Sequence, residues 1–395
     1  MLENFEIEDF VMKIVRMLSI AVVLANAAFA FAQNEPSRTD VFQWLRQARA
    51  ASMAGEKDKA RKLIDDSRSW ASKNKDKLAG AWADQLTGEL EFSAGDRAKA
   101  VTAFTAALDA FGELKNEQGI ANCRLNLGRL AFAEQKLNDA LQHQTIALES
   151  FRKLNRSADE AAVLSDLAAT QKQLGKVAEA KQSLQQAWSI LGNREGTDPA
   201  SKLRVLGELA SCCEATNEPA EAIKHFTAAI TLAGDTKQPA EEARLRNSLG
   251  SLHQRQGNLE EAGKQYEAAL KTNPGSDPAT EAAIRNNLGA LLQEQGKIKE
   301  ALVELQKALA LFEQQKDDAG QGRTLYNIAL AYETDGKNAD AIVAYEKAAT
   351  LRRKIKDDAG AARVLDNLAL LYASSGKADK AKECRDEAER LRSRR

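Results

Sequence analysis

An all-α solenoid of stacked helix-turn-helix units is predicted for this 395-residue chain by three observations. Punctuating residues recur at a near-constant interval. Gly55, Gly95, Gln135, Gly175, Asn217, Gly257, Gly296, Gly336 and Gly376 lie 40, 40, 40, 42, 40, 39, 40 and 40 residues apart. Each mark separates two runs with apolar residues at helical spacing, and no stretch sustains the alternation of a half-buried strand. A longer motif also repeats outright, Lys316-Asp317-Asp318-Ala319-Gly320 returning as Lys356-Asp357-Asp358-Ala359-Gly360. A period in this range marks helix pairs that cannot bury their own apolar faces and must stack on neighbours, so nine repeats make one continuous core. Length alone suggests two or three globular domains, and the period overrides it.

The first 39 residues break this pattern. Lys13 and Arg16 precede an apolar run from Met17 to Ala32, which ends in Ala30-Phe31-Ala32 before the polar Gln33-Asn34-Glu35-Pro36. This is the pattern of an export signal, residues 1–32, with cleavage after Ala32. The run is about 16 residues, short of the ~20 of a membrane-spanning helix; a retained anchor and a buried helix are the alternatives. No cysteine lies beside the cleavage point to carry a lipid. Glu3, Glu6, Glu8 and Asp9 stand ahead of the basic region, where a signal has none, so Met12 is an alternative start. Removing residues 1–32 moves the formal charge from -1 to +1. The expected setting is exported, periplasmic in a bacterial envelope or secreted, with no stable membrane insertion once the signal is cleaved. Residues 33–39 are expected to be a linker and 40–395 the solenoid.

Repeats one and two fit the pattern least, with Gln47 and Thr87 at a leucine position and Glu91 at a tyrosine position, and are expected to form a capping end. The eighth repeat is the clearest. Leu325, Ile328, Ala329 and Tyr332 form the packing face of its first helix, Gly336 supplies the left-handed turn, and Ala341, Tyr345 and Ala348 line the second helix. Asp318 and Asp358 are expected to cap the helices that follow them. In the ninth repeat Arg385 replaces the aromatic of the second helix, consistent with a polar terminal face.

These residues resemble the tetratricopeptide repeat, whose pattern is W-x2-L-G-x2-Y, then A-x3-F, then A. Leu249, Gly250, His253, Ala262, Tyr266, Ala269 and Pro274 carry it in the sixth repeat; Leu288, Gly289, Ala301 and Ala308 in the seventh; Leu127, Gly128, Ala140 and Ala147 in the third. Ala180 and Ala222 mark the close helix contact in the fourth and fifth, and Trp44 takes the tryptophan position in the first. The spacing is longer than the usual 34 residues, which is similar to the repeats of kinesin light chains and Pins-type scaffolds. The resemblance implies a right-handed superhelical solenoid over nearly all the chain after residue 39.

Charged residues are frequent and balanced at a net -1, which gives no electrostatic preference for nucleic acid or anionic membrane. His143, His225 and His253 fall in different repeats, with no metal-ligand spacing around them. No phosphate-cradling glycine loop and no acid, base and nucleophile grouping is present, so no catalytic residue, metal or cofactor is assigned. Cys123, Cys212, Cys213 and Cys384 lie in repeats three, five and nine and are expected to stay unpaired, because helix-packing distances keep those repeats too far apart for a disulfide. The arginines from Arg390 onward suit a helix C-terminus.

A ladder on the first helix of each repeat is the candidate site. Arg323, Asn327, Leu330 and Thr334 share the face opposite the packing residues, and that face should line a concave groove. Asn recurs as Asn126, Asn287, Asn327 and Asn367, and Arg one turn earlier as Arg204, Arg244, Arg323 and Arg363. Amide side chains both donate and accept, so they can hold an extended backbone of any sequence; arginines favour carboxylates. The resemblance implies the same role for the four asparagines. Tyr326, Asn286 and Asn247, one position earlier, are secondary candidates. Asp166, Glu208 and Ser248 interrupt the ladder, which places the expected contacts in repeats seven to nine. The alternative is that these side chains only solvate or cap the helices. The expected function is a non-catalytic scaffold binding a protein or extended peptide; a ligand-responsive sensor or regulatory subunit, and an envelope enzyme, are the other classes.

Overall fold

The computed structural model describes residues 36–393 apart from 193, 195, 273, 274 and 276. The export-signal segment, the alternative start at Met12, residues 33–35 of the linker, Pro274 and the last two arginines lie outside the described residues. Eighteen α-helices and no strand are present among the described residues.

The chain divides into two compact parts, meeting at Leu174 and Gly175. The first holds α1 (Arg38–Met53), α2 (Lys57–Asn74), α3 (Lys77–Ala94), α4 (Arg97–Glu113), α5 (Glu117–Ala133), α6 (Leu137–Lys153) and α7 (Ser157–Gln173). The second holds α8 (Val177–Leu191), α9 (Pro199–Ala215), α10 (Pro219–Asp235), α11 (Pro239–Arg255), α12 (Leu259–Thr272), α13 (Pro278–Glu294), α14 (Ile298–Gln314), α15 (Asp318–Thr334), α16 (Asn338–Lys354), α17 (Asp358–Ser374) and α18 (Ala378–Ser393). Odd-numbered helices are the first of each repeat and even-numbered helices the second.

All nine predicted turn marks have positive φ, from 59° at Asn217 to 87° at Gly95. Glycine adopts this conformation without steric cost, which explains its place at seven of the nine. The turns between repeats use the same geometry on other residues: Lys75, Lys115, Asn155, Lys237, Lys316 and Lys356 are also left-handed. The α14 end shows how the turn is held, with the Asp317 amide bonded to the Phe312 carbonyl and the Lys316 amide to that of Glu313, a Schellman pair.

Two boundaries differ from expectation. The caps are Asp317 and Asp357, not Asp318 and Asp358. The Asp317 carboxylate accepts from the amides of Ala319 and Gly320, and Asp357 from Gly360. The Schellman turn ends the previous helix one residue earlier than the repeat pattern suggested, so the first aspartate of each pair takes the extended position. At the other end, Arg38 and Thr39 belong to α1 rather than to a linker, because Ser37 and Asp40 form a reciprocal capping box.

The core is built from one slot repeated. Ala60, Ala100, Ala140, Ala180, Ala222, Ala262, Ala301, Ala341 and Ala381, each five residues beyond a turn mark, are all at most 1% exposed. A side chain no larger than a methyl lets the paired helices approach closely, and the large residue four positions on fills the space beside it, as Phe104, Phe226, Tyr266 and Tyr345 do. Facing glycines complete the fit: a Cβ on Gly250 would lie 2.7 Å from the Tyr266 ring. Where the pattern fails, polar partners substitute. Buried Glu91 is paired with Arg61 at 2.8 Å, and buried Gln144 accepts from Thr170 at 2.8 Å.

Candidate functional site

The odd-numbered helices carry one apolar face inward and leave a polar face opposite. On α15, Leu325, Ile328 and Ala329 are buried while Arg323 and Thr334 are exposed and Asn327 is half-buried. The same division holds on α17, with Arg363 exposed, Asn367 half-buried and Leu370 65% exposed.

The structure brings most of the candidate asparagines of the second part into one hydrogen-bonded ladder. Asn287 Nδ2 donates to Asn247 Oδ1 at 3.0 Å and to Ser251 Oγ at 3.4 Å. Asn286 Nδ2 donates to Asn287 Oδ1 at 3.4 Å. Asn286 Oδ1 in turn accepts from Asn327 Nδ2 at 3.1 Å and from the Thr324 hydroxyl at 3.0 Å. Asn367 Nδ2 donates to the Tyr326 hydroxyl at 3.0 Å. Asn287, Asn327 and Asn367 thus each bond to the residue one position before their own equivalent in the preceding repeat. Neighbouring odd-numbered helices are offset by a residue, and the secondary candidates Asn247, Asn286 and Tyr326 are the acceptors. Thr324 and Ser251 were not among the candidates; Thr324 lies one turn before Asn327 on the same strip, which is the signal that could have found it.

Asn126 stands on α5 in the first part, half-buried, with no side-chain hydrogen bond among the described residues. Interruption of the ladder has a local cause there: Asp166 is taken by Arg129 at 2.6 Å.

A large recess lies across α9, α11 and α13, in repeats five to seven rather than seven to nine. Its volume is about 820 Å³, and Arg204, Arg244, Asn247 and Ser248 contribute to its wall with Glu208 and Thr280. It opens because Ala279 and Ala283 occupy the positions on α13 where longer side chains would fill it. Arg204 and Arg244 are exposed; Arg244 pairs with Glu241 at 2.7 Å, a surface pair worth at most about 1 kcal/mol and open to exchange with another carboxylate. Arg255 holds Glu214 at the far rim. A smaller recess of about 240 Å³ on the first part is apolar, formed by Phe42 and Leu45 of α1 and Trp82 and Leu86 of α3 under Arg46 and Arg49.

The reactive side chains are placed as packing groups. Cys123, Cys212, Cys213 and Cys384 stand outside any disulfide, the first three buried. Burial pushes the Cys123 thiol up to about 12, far from the reactive thiolate. His143 is held below its usual range by burial and by Arg124, whose guanidinium lies 3.2 Å from Nδ1; burial lowers His225 likewise. Among the described residues, no three His, Cys, Asp or Glu side chains are grouped to hold a metal. None of the described helices is long and apolar enough to cross a membrane.

Comparison with known proteins agrees with the geometry. Tetratricopeptide repeat models match residues 241–314, 280–354 and 320–394, and another matches 205–240; this portion carries tetratricopeptide repeats. No curated protein matches in sequence. Among solved structures, the apo form of RapI superposes with a TM-score of 0.71 at 12% identity, over 89% of this chain and 97% of that one. Aspartyl phosphate phosphatase F from Bacillus subtilis gives 0.59 at 14% identity over 91% and 95%. The apo form of the quorum sensor NprR from B. thuringiensis gives 0.63 at 14% identity over 89% and 99%. At these identities the likeness shows the fold, an all-α repeat solenoid.

Proposed function

We propose that this chain is a non-catalytic interaction protein that binds an extended peptide or protein segment along the polar face of its odd-numbered helices, with Arg204 and Arg244 meeting partner carboxylates. The recess across α9, α11 and α13 carries this reading. It is a large open volume whose wall carries the exposed Arg204 and Arg244 and the amide of Asn247 beside the carboxylates of Glu208, Glu214 and Glu241, over a floor that includes Leu203, Leu245 and Phe226. Sidedness of this kind suits an extended ligand held by many modest contacts. The fold is shared with a phosphatase as well as a quorum sensor, so the fold leaves catalysis open. The non-catalytic reading rests instead on the scatter of the thiols, three of them buried, and of the half-buried imidazoles over several repeats.

The test is affinity capture with the chain from residue 33, beside a variant carrying Arg204→Ala, Arg244→Ala and Asn327→Ala, after circular dichroism has shown equal folding. Proteins recovered by the first bait and lost from the second support the groove. Identical recovery by both removes it as the binding surface.

A second reading, a ligand-responsive sensor, is favoured by likeness to the quorum sensor NprR and by a recess bordered by exchangeable ion pairs. Solution scattering that shows compaction with a captured partner would separate it from a passive scaffold. The cellular setting in this proposal is the bacterial envelope or outside it, on the strength of residues 13–36. N-terminal sequencing of the protein from fractionated cells should begin at Gln33; a protein retaining Met17 to Ala32 would oppose cleavage.

A further inference from the structure

The left-handed residue of the α2–α3 turn is Lys75, at φ 54°, and that of the α4–α5 turn is Lys115, at φ 51°. Glycine would take this conformation without steric cost, whereas a residue with a side chain takes it under strain. Both lysine side chains are exposed, and neither makes a hydrogen bond or ion pair among the described residues. The helix dipole does not account for Lys75, because Lys73 already supplies a cation to the last turn of α2. Strain of this kind persists where the side chain has a task.

A recess of about 540 Å³ lies at these two turns and the start of α1. Its wall holds three cations, Arg38, Lys75 and Lys77, one carboxylate, Asp76, and the apolar Leu78 and Leu114; Lys115 stands between Leu114 and Asn116 of the same wall. Arg38 is bound to Asp76 at 2.6 Å and Lys77 to Glu113 at 2.7 Å, and Asp76 also accepts from the amides of Leu78 and Ala79. Those four charges are matched within the turns. Glu117, on the first turn of α5, offsets at most one of the two lysines left over, so the recess stays cationic on a chain of net charge -1. We infer that this recess is a docking site for an acidic polypeptide segment, whose carboxylates meet Lys75 and Lys115 and whose apolar side chains meet Leu114, 38% exposed. The charge selects an anionic partner. The leucines select a polypeptide over a nucleic acid, since the wall offers no aromatic ring for a base to stack on. The site lies in repeats one to three and does not rest on the groove proposed above.

The experiment selects binders from a random peptide library on the full-length chain, with depletion on the double variant Lys75→Gly/Lys115→Gly. Survivors are titrated by fluorescence anisotropy against the single variants. The expected survivors are rich in aspartate and glutamate, and they bind more weakly as salt is raised. Lys75→Gly and Lys115→Gly should each weaken binding roughly two- to fivefold while raising the melting temperature by about 2–4 °C, so the loss is not one of folding. Lys316→Gly, which relieves the same backbone strain in the second part, should raise the melting temperature likewise and leave the affinity unchanged. Survivors without an excess of acidic residues, or an equal loss of affinity from Lys316→Gly, would overturn the site. A lower melting temperature for both lysine variants would mean that the lysines hold their turns, which removes the reason to assign them a ligand. If no peptide survives depletion, the proposal fails; vesicles of phosphatidylglycerol that bind through the same two lysines would then assign the recess to an anionic membrane instead.

Discussion

At the residue scale, the close contacts between helices depend on atoms that are missing. Gly289 on α13 faces Leu305, and a Cβ there would lie 2.6 Å from Leu305 Cγ and 3.2 Å from the Ala301 carbonyl. One of these neighbours is backbone and cannot yield, so Gly289→Ala should destabilise by about 1–3 kcal/mol despite its better helix propensity, measured by urea denaturation. His143 gives a pH-dependent counterpart. Burial and Arg124 keep its folded-state pKa below the unfolded value, so the unfolded chain binds the proton more readily. Its contribution is therefore complete above the unfolded pKa near 6.5 and is lost as pH falls through that value towards the folded one. The melting temperature of the wild type should drop more between pH 8 and pH 5.5 than that of His143→Gln; equal drops would show that the imidazole is not titrating against this environment.

At the element scale, the helix ends separate residues that the repeated motif makes look alike. Asp317 caps α15 through two backbone amides, whereas Asp318 makes only an ion pair with Lys354. Asp317→Ala should cost about 0.5–2 kcal/mol and Asp318→Ala a few tenths, a difference readable in paired thermal melts. The left-handed lysines allow the opposite test. Lys316 sits at φ 56°, a conformation that costs a side-chain-bearing residue about 1 kcal/mol relative to glycine. Lys316→Gly should therefore stabilise the protein, and a lower melting point would mean that the lysine side chain holds the turn by contacts of its own.

At the scale of the whole molecule, a solenoid is held by neighbours and its ends have fewer of them. In the part from residue 175 onward, α18 closes the stack with an exposed outer face that includes Lys382, Arg385 and Asp386. Its amides should exchange with solvent faster than those of α13 and α15 in hydrogen-exchange mass spectrometry, because local opening there breaks one interface rather than two. Uniform exchange along the chain would instead indicate a single cooperative unit.

The local rules of the chain determined a great deal. The 40-residue interval, the helix pairs, the left-handed turn marks and the alanine slot all follow from helical rise and from residues that suit one backbone conformation, and they are legible from Gly336 or Ala341 alone once the period is seen. Tertiary structure decided what those rules cannot carry. Asn287 bonds to Asn247 and not to Ser248, its periodic equivalent, because adjacent odd-numbered helices are offset by one residue, an amount set by packing between repeats. The recess likewise sits over Ala279 and Ala283, since its volume depends on what neighbouring helices leave unfilled. Spacing along one helix is a property of its own backbone; register and empty space between helices belong to the assembled stack.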